Sequence, residues 1–238
     1  MIACDVFTDE INAFASLKKP GWKILKLLEM GLHDQPDRLR EDIQAQIAEV
    51  EADAEIEAIA FAYGRCGNGL VGVRAGRVPL ILPQAHDCIS ILLGGKDRHD
   101  ALLKENPGTY FYSPGWVREK RVPGPDREAY LRDLYKERFE QDEEMIQDLI
   151  EVDREMFAHN NCAAYVSITD SPQARSYCHE CAKFLGWKHR ELPGEEGFLH
   201  ALLSGEWQDD SRFVIIHPGE KVGADTDGSL IAEPATTS

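Results

Sequence analysis

Apolar residues fall along this chain in short continuous runs, separated by stretches of helical spacing. That is the pattern of strands buried on both faces alternating with amphipathic helices. The first run, Met1-Ile2-Ala3-Cys4-Asp5-Val6-Phe7, predicts a strand. Weaker signals follow for a short helix over Asp9 to Leu17 and a second strand over Trp22 to Leu27. The segment Leu32-His33-Asp34-Gln35-Pro36-Asp37 then supplies a cap, a first-turn proline and early acids. Leu39, Ile43, Ile47 and Val50 follow at helical spacing, which predicts a helix. Ile56 to Tyr63 runs apolar like a buried strand and stops at the glycine turn Gly64-Arg65-Cys66-Gly67-Asn68-Gly69. Val78 to Pro83 reads as the next strand, with the polar turn Gln84-Ala85-His86-Asp87-Cys88 and the helix-opening run Ile89 to Leu93 behind it. Strand, polar turn and helix is the order of a βαβ unit.

Further on, Asn106 to Trp116 holds a short aromatic strand between Pro-Gly pairs, a loop that packs over other structure. Residues 127–157 predict one long helix, with Leu131, Leu134, Tyr135, Phe139, Ile146, Leu149 and Val152 on one side and the acidic run Glu140 to Glu144 on a solvated face. Cys162 to Thr169 is another buried strand, and Asp170-Ser171-Pro172 opens a helix that Gly186 ends. Phe198 to Leu203 is a short helix, Phe213 to His217 a last strand, and the tail from Ala224 reads as disordered. These strand–turn–helix signals agree on an α/β protein. The expectation is a single Rossmann-like domain over residues 1–223, with a mostly parallel sheet and helices on both faces, followed by a disordered tail over 224–238.

Composition narrows the function classes. Of the 238 residues, 43% are hydrophobic and 29% charged, the balance of a chain that buries a core. No apolar run approaches the about 20 residues a membrane helix needs, and the first residues lack a signal-peptide pattern, so a cytoplasmic protein without a membrane partner is expected. A formal net charge of −16 opposes a nucleic-acid partner, because a polyphosphate would approach against the protein's own field. The small basic cluster of Arg118, Lys120 and Arg121 is either a solvated loop or an anion clamp. Six cysteines in a reducing compartment read as reduced, buried or metal-bound thiols rather than as a disulfide framework.

Candidate chemistry gathers at strand ends, because ligands of an open parallel sheet bind beyond the carboxyl ends of its strands. Cys4 closes the first strand, Cys66 sits in the glycine turn after Tyr63, and Cys88 follows the strand ending at Pro83. If those strands are neighbours, three sulfurs meet, which suits a zinc ion or a site-differentiated iron–sulfur cluster with one open position. The competing reading is three small core residues. His86 or Asp87 could supply a fourth ligand or a proton, and His33, beside a helix start, could titrate near neutrality. Gly67 and Gly69 either let backbone amides approach a cofactor or form a tight turn that places Cys66; their spacing fits neither common phosphate-loop pattern. Tyr110, Tyr112 and Trp116 either wall a small organic or cationic ligand or cover the core. Cys178-His179-Glu180-Cys181 has CxxC spacing but lies mid-helix, and with Cys162 it reads as core.

The strings Gly31-Leu32-His33-Asp34, Tyr63-Gly64-Arg65-Cys66-Gly67-Asn68-Gly69, His86-Asp87-Cys88-Ile89, Leu92-Leu93-Gly94 and Pro107-Gly108-Thr109-Tyr110 through Pro114-Gly115-Trp116 together resemble the DUF1638 family. The resemblance spans Cys4 to Gly219. Its pattern includes cysteines at the places of Cys4, Cys66 and Cys88, and not the pair at Cys178. The resemblance implies a setting beside corrinoid proteins and methyltransferases of the trimethylamine type. One-carbon or methylated-amine metabolism follows, with a methylated amine or a thiol as the small molecule and a corrinoid carried by a partner. Three functions stay open on the sequence: a three-cysteine metal-binding protein, a non-catalytic accessory or binding protein of a methyltransferase system, and a single-cysteine thiol enzyme.

Overall fold

A computed structural model describes residues 1–14, 23, 25–139 and 142–235. The opening run forms β1 (Ile2–Cys4) and passes through a 3-10 turn into α1 (Thr8–Phe14). The expected helix beyond residue 14 and residues 22 and 24 of the expected second strand lie outside the described residues; β2 covers Lys26–Leu28. After a 3-10 segment (Met30–Asp34) comes α2 (Pro36–Glu51), whose Leu39, Ile43, Ile47 and Val50 are buried as their spacing predicts. The chain continues through β3 (Ile59–Ala62), β4 (Leu80–Pro83), α3 (Cys88–Leu92), α4 (Lys96–Glu105), β5 (Thr109–Tyr112), α5 (Pro114–Arg118), α6 (Arg127–Arg138) and α7 (Glu143–Met156). Then follow β6 (Cys162–Ser167), α8 (Pro172–Leu185), β7 (Lys188–Pro193), α9 (Glu196–Ser204), β8 (Phe213–Ile216), β9 (Glu220–Ala224) and β10 (Leu230–Pro234).

The chain forms two compact units. The first combines residues 1–99 with the chain from 194 onward, and the second is residues 100–193. The sheet of the first unit has the order β2-β1-β3-β4-β8; its first four strands run parallel, and β8 lies antiparallel on β4. Every residue of β1, β3 and β4 is buried, which explains why they read as unbroken apolar runs: helices leave a parallel sheet no wet face. In the second unit β5, β6 and β7 form a parallel sheet. The protein is thus a mixed α/β structure with mostly parallel sheets.

Two expectations are corrected. The helix predicted over 127–157 is two helices, because Asp142 in the acidic run acts as a cap: its carboxylate accepts the Met145 N–H at 3.1 Å and starts α7. The tail expected to be disordered from residue 224 carries β10, paired antiparallel with β9. Val222 and Leu230 are buried there. The Gln84 amide fastens the hairpin, donating to the Leu230 carbonyl at 2.7 Å and accepting the Leu230 N–H at 2.9 Å. Among the described residues, no helix is long and apolar enough to cross a membrane.

Candidate functional site

The sheet order makes β1, β3 and β4 neighbours, parallel and in register through Ala3–Ala62 and Ala60–Ile81. Their carboxyl ends therefore emerge on one edge, each followed by a cysteine-bearing segment. Cys4 is the last residue of β1, Cys66 lies in the loop after β3, and Cys88 begins α3 after β4. The last two loops are zipped together by backbone: the Arg65 N–H donates to the Ala85 carbonyl at 2.9 Å and the Cys66 N–H to the His86 carbonyl at 3.0 Å. Gly64 allows this approach. A Cβ there would stand 2.5 Å from the Asp87 Cα, so no other residue fits without parting the loops.

The turn at Cys66 is unusual. Cys66 (φ 43°), Gly67 (φ 65°) and Asn68 (φ 74°) are consecutive left-handed residues, a conformation that costs a residue with a Cβ about 1–2 kcal/mol. The Gly69 N–H closes the turn onto the Cys66 carbonyl at 3.3 Å. On one side Gly69 lies against α2, where a Cβ would come within 2.4 Å of Leu39 Cδ2. On the other, Arg65 Nη1 donates to the Gly228 carbonyl in the β9–β10 turn at 2.8 Å. Gly67 and Gly69 thus serve the tight turn that places Cys66.

At the centre of this edge is Tyr63, directly after β3 and fully buried. Its hydroxyl has no hydrogen-bond partner among the described residues. Burial raises the phenol's pKa, and Cys4, Cys66, Cys88 and Asp34 all bear on it in the same direction. Cys66 keeps part of its surface exposed, yet desolvation, followed by Cys4 and Asp87, raises its thiol well above the ordinary range. Cys4 and Cys88 are buried. Tyr63 was not among the residues expected at the site; its one sequence signal is a hydroxyl at the end of an otherwise apolar strand.

The histidines and Asp87 lie at the same edge. Asp87 caps α3, accepting the Ser90 N–H at 2.8 Å and the Ser90 hydroxyl at 2.9 Å, and its other oxygen is 4.0 Å from Nε2 of the buried His99. The His86 ring lies 6.3 Å from that of His99, a second residue the sequence did not single out. His33 is half-buried with Nε2 3.3 Å from Asp34, and its carbonyl lies 4.0 Å from where a Cβ on Gly67 would stand. The first unit therefore brings together Cys4, Cys66, Cys88, His86, Asp87 and His33.

Tyr110 and Trp116 belong to the second unit. Both are half-buried against its core; Tyr110 meets Tyr112 edge-on at 5.3 Å and Phe157 at 5.4 Å. Cys162, Cys178 and Cys181 are buried in that unit. In the basic cluster, Arg118 pairs with Glu119 at 3.2 Å.

None of the six cysteines forms a disulfide with a described residue. Among the described residues, no three His, Cys, Asp or Glu side chains stand as a ready ligand group for a metal ion as placed.

Fold and site together define an α/β protein with thiols and a buried phenol at the carboxyl edge of a parallel sheet. The chain belongs to the DUF1638 family, proteins of unknown function, whose profile matches residues 27–203. The match is narrower at both ends than the resemblance drawn from the sequence strings: it takes in Cys66 and Cys88 but leaves out Cys4 and the β9–β10 hairpin. No curated protein and no solved structure matches the chain at a significant level.

Proposed function

We propose that this is a cytoplasmic metal-binding protein in which Cys4, Cys66 and Cys88 hold an iron–sulfur cluster or a zinc ion, acting in methyl transfer linked to a corrinoid-bearing partner. The observation that carries the reading is the adjacency of β1, β3 and β4, each followed at its carboxyl end by a segment bearing one of the three cysteines. The reading takes the first unit as Rossmann-like, with its ligand beyond the strand ends. Three thiolates suit a thiophilic metal and leave one position for a substrate, a methylated amine or a thiol. Zinc there would activate a thiol acceptor; a cluster would move electrons or bind substrate at one iron. Because the described side chains do not form a ligand group, this reading requires the site to rearrange when a metal binds. An enzyme working through one activated thiol is the weaker reading, since the Cys66 pKa is raised where such chemistry needs it lowered.

The test is metal and acid-labile sulfide content of protein purified without oxygen, for the wild type and for Cys4→Ser, Cys66→Ser and Cys88→Ser. Iron with sulfide, or stoichiometric zinc, lost in each variant, is the expected result. No metal in any preparation removes this reading and leaves a non-catalytic binding protein for a methyltransferase system.

A further inference from the structure

Helix α7 carries two apolar stripes, and the fold uses one of them. Ile146 and Ile150 are buried in a core cluster of the second unit, and on the same face the buried Asp153 accepts from Arg127 Nε at 3.0 Å. Met145, Leu149, Val152 and Met156 form the other stripe, at steps of 4, 3 and 4 residues. That is the spacing of a coiled-coil seam, and at about 100° per residue the four fall within an arc of about 60°. Met145, Val152 and Met156 are 44%, 57% and 70% exposed, and Leu149 is half-buried. Single exposed apolar residues are ordinary, but a continuous seam marks a contact surface. Beside it runs a row of exposed acids, Glu144, Asp148, Glu151 and Glu155, each one residue before a member of the stripe. Like charges three and four residues apart repel, so this row weakens the helix that bears it. The cations nearby are engaged elsewhere: Arg132 with Glu128 and Glu143, and Arg154 with Glu128.

We infer that this face of α7 is the docking surface for a partner protein that presents a basic amphipathic helix. The partner's apolar residues cover the stripe, and its Lys and Arg side chains meet the acidic row. Two methionines among the four seam residues suit such a surface, because their unbranched side chains adapt to what packs on them. A second copy of this chain does not fit. Pairing two α7 helices antiparallel about a two-fold axis sets the same flank of each on the same side, acid against acid. Pairing them parallel would require the flank of Ile146 and Asp153, which is buried in the chain's own core. The surface lies in the second unit and owes nothing to the three cysteines of the first.

The experiment uses the full chain and three labelled synthetic helices about three heptads long. One has leucines along a seam with lysines beside them, one has glutamates in place of the lysines, and one is the lysine peptide in scrambled order. By fluorescence anisotropy at physiological salt, the ordered lysine peptide is expected to bind at about 10–100 µM, as suits a small interface, and the other two at least about tenfold more weakly. Val152→Ser combined with Met156→Ser should weaken the ordered peptide about tenfold and melt as the wild type does. Phe184→Ser, which removes a 64% exposed ring from α8, should leave binding unchanged. Failure of the ordered lysine peptide to bind would overturn the inference. So would equal binding of the scrambled peptide, which would reduce the effect to the general attraction of an acidic protein, or of the glutamate peptide, which would remove the role of charge. Sedimentation is expected to show a monomer; a dimer that the double variant dissolves would assign the stripe to a second copy instead. A lowered melting temperature in that variant would return both side chains to the chain's own packing.

Discussion

Tyr63 and Tyr112 occupy equivalent places in the two units: each is fully buried at the carboxyl end of a parallel strand, β3 in one and β5 in the other. Tyr112 donates to the Pro123 carbonyl at 2.7 Å, whereas the Tyr63 hydroxyl has no partner among the described residues. The cysteines divide in the same way. Cys178 and Cys181 sit fully buried on α8 among Val122, Ala163, Tyr165, Ala174 and Ala182. Burial raises the pKa of both thiols, that of Cys181 to about 11. They behave as small core residues, although their CxxC spacing is the more suggestive local pattern. Cys4, Cys66 and Cys88 share no local spacing, yet adjacent parallel strands carry them to one edge. Position relative to a strand end, more than spacing along the chain, separates a candidate site from a core.

The largest effect that would break this comparison is expected at Gly64. Gly64→Ala sets a Cβ 2.5 Å from the Asp87 backbone, where no side chain can yield, and should cost about 3 kcal/mol or more in urea unfolding. It should also abolish metal uptake, because it parts the loops of Cys66 and Cys88. Next, Cys178→Ser places a hydroxyl in an apolar cluster and should cost about 1–3 kcal/mol while leaving metal content unchanged. Cys66→Ser, on a partly exposed turn, should show the reverse: stability near wild type and metal lost. If both serine variants behave alike, the two sets of cysteines are not different in kind. A smaller contrast tests the tyrosines. Tyr112→Phe strands the Pro123 carbonyl and should cost about 1–2 kcal/mol, against no loss for Tyr63→Phe.

Much of the first unit was legible because its signals are local. The unbroken apolar runs of β1, β3 and β4 announced buried parallel strands, and Pro36 with Leu39, Ile43, Ile47 and Val50 announced α2. The meeting of Cys4, Cys66 and Cys88 was legible only as a condition, since strand adjacency is a property of the whole sheet. What escaped depends on contacts distant in sequence. The β9–β10 hairpin is held by Gln84 and Arg65, whose partners lie far along the chain, so its segment reads alone as a polar tail. The break between α6 and α7 was hidden because Asp142 looked like one more surface acid. Tyr63 reads in the sequence only as the end of an apolar strand, and His99 carries no signal there at all; only the packed structure shows that one hydroxyl lacks a partner among the described residues and that one imidazole is buried beside Asp87.

The smallest effect concerns the left-handed turn itself. Cys66 and Asn68 both hold positive φ, but the two residue types tolerate it differently, since an asparagine side chain bonds locally and visits that region readily while cysteine does not. Glycine relieves the strain but enlarges the unfolded ensemble, a cost of about 0.5–1 kcal/mol that offsets part of the gain. For Asn68→Gly the two terms nearly cancel, and stability should stay within about 0.5 kcal/mol of wild type. For Cys66→Gly the relief is larger, and a net gain of about 0.5–1 kcal/mol is expected in the metal-free protein, together with loss of metal binding. Such a gain would mean that the cysteine is kept in a conformation that costs stability, as expected of a residue held there for what it binds. A loss would mean instead that packing of the thiol outweighs the backbone strain, and would place Cys66 with the core cysteines of the second unit.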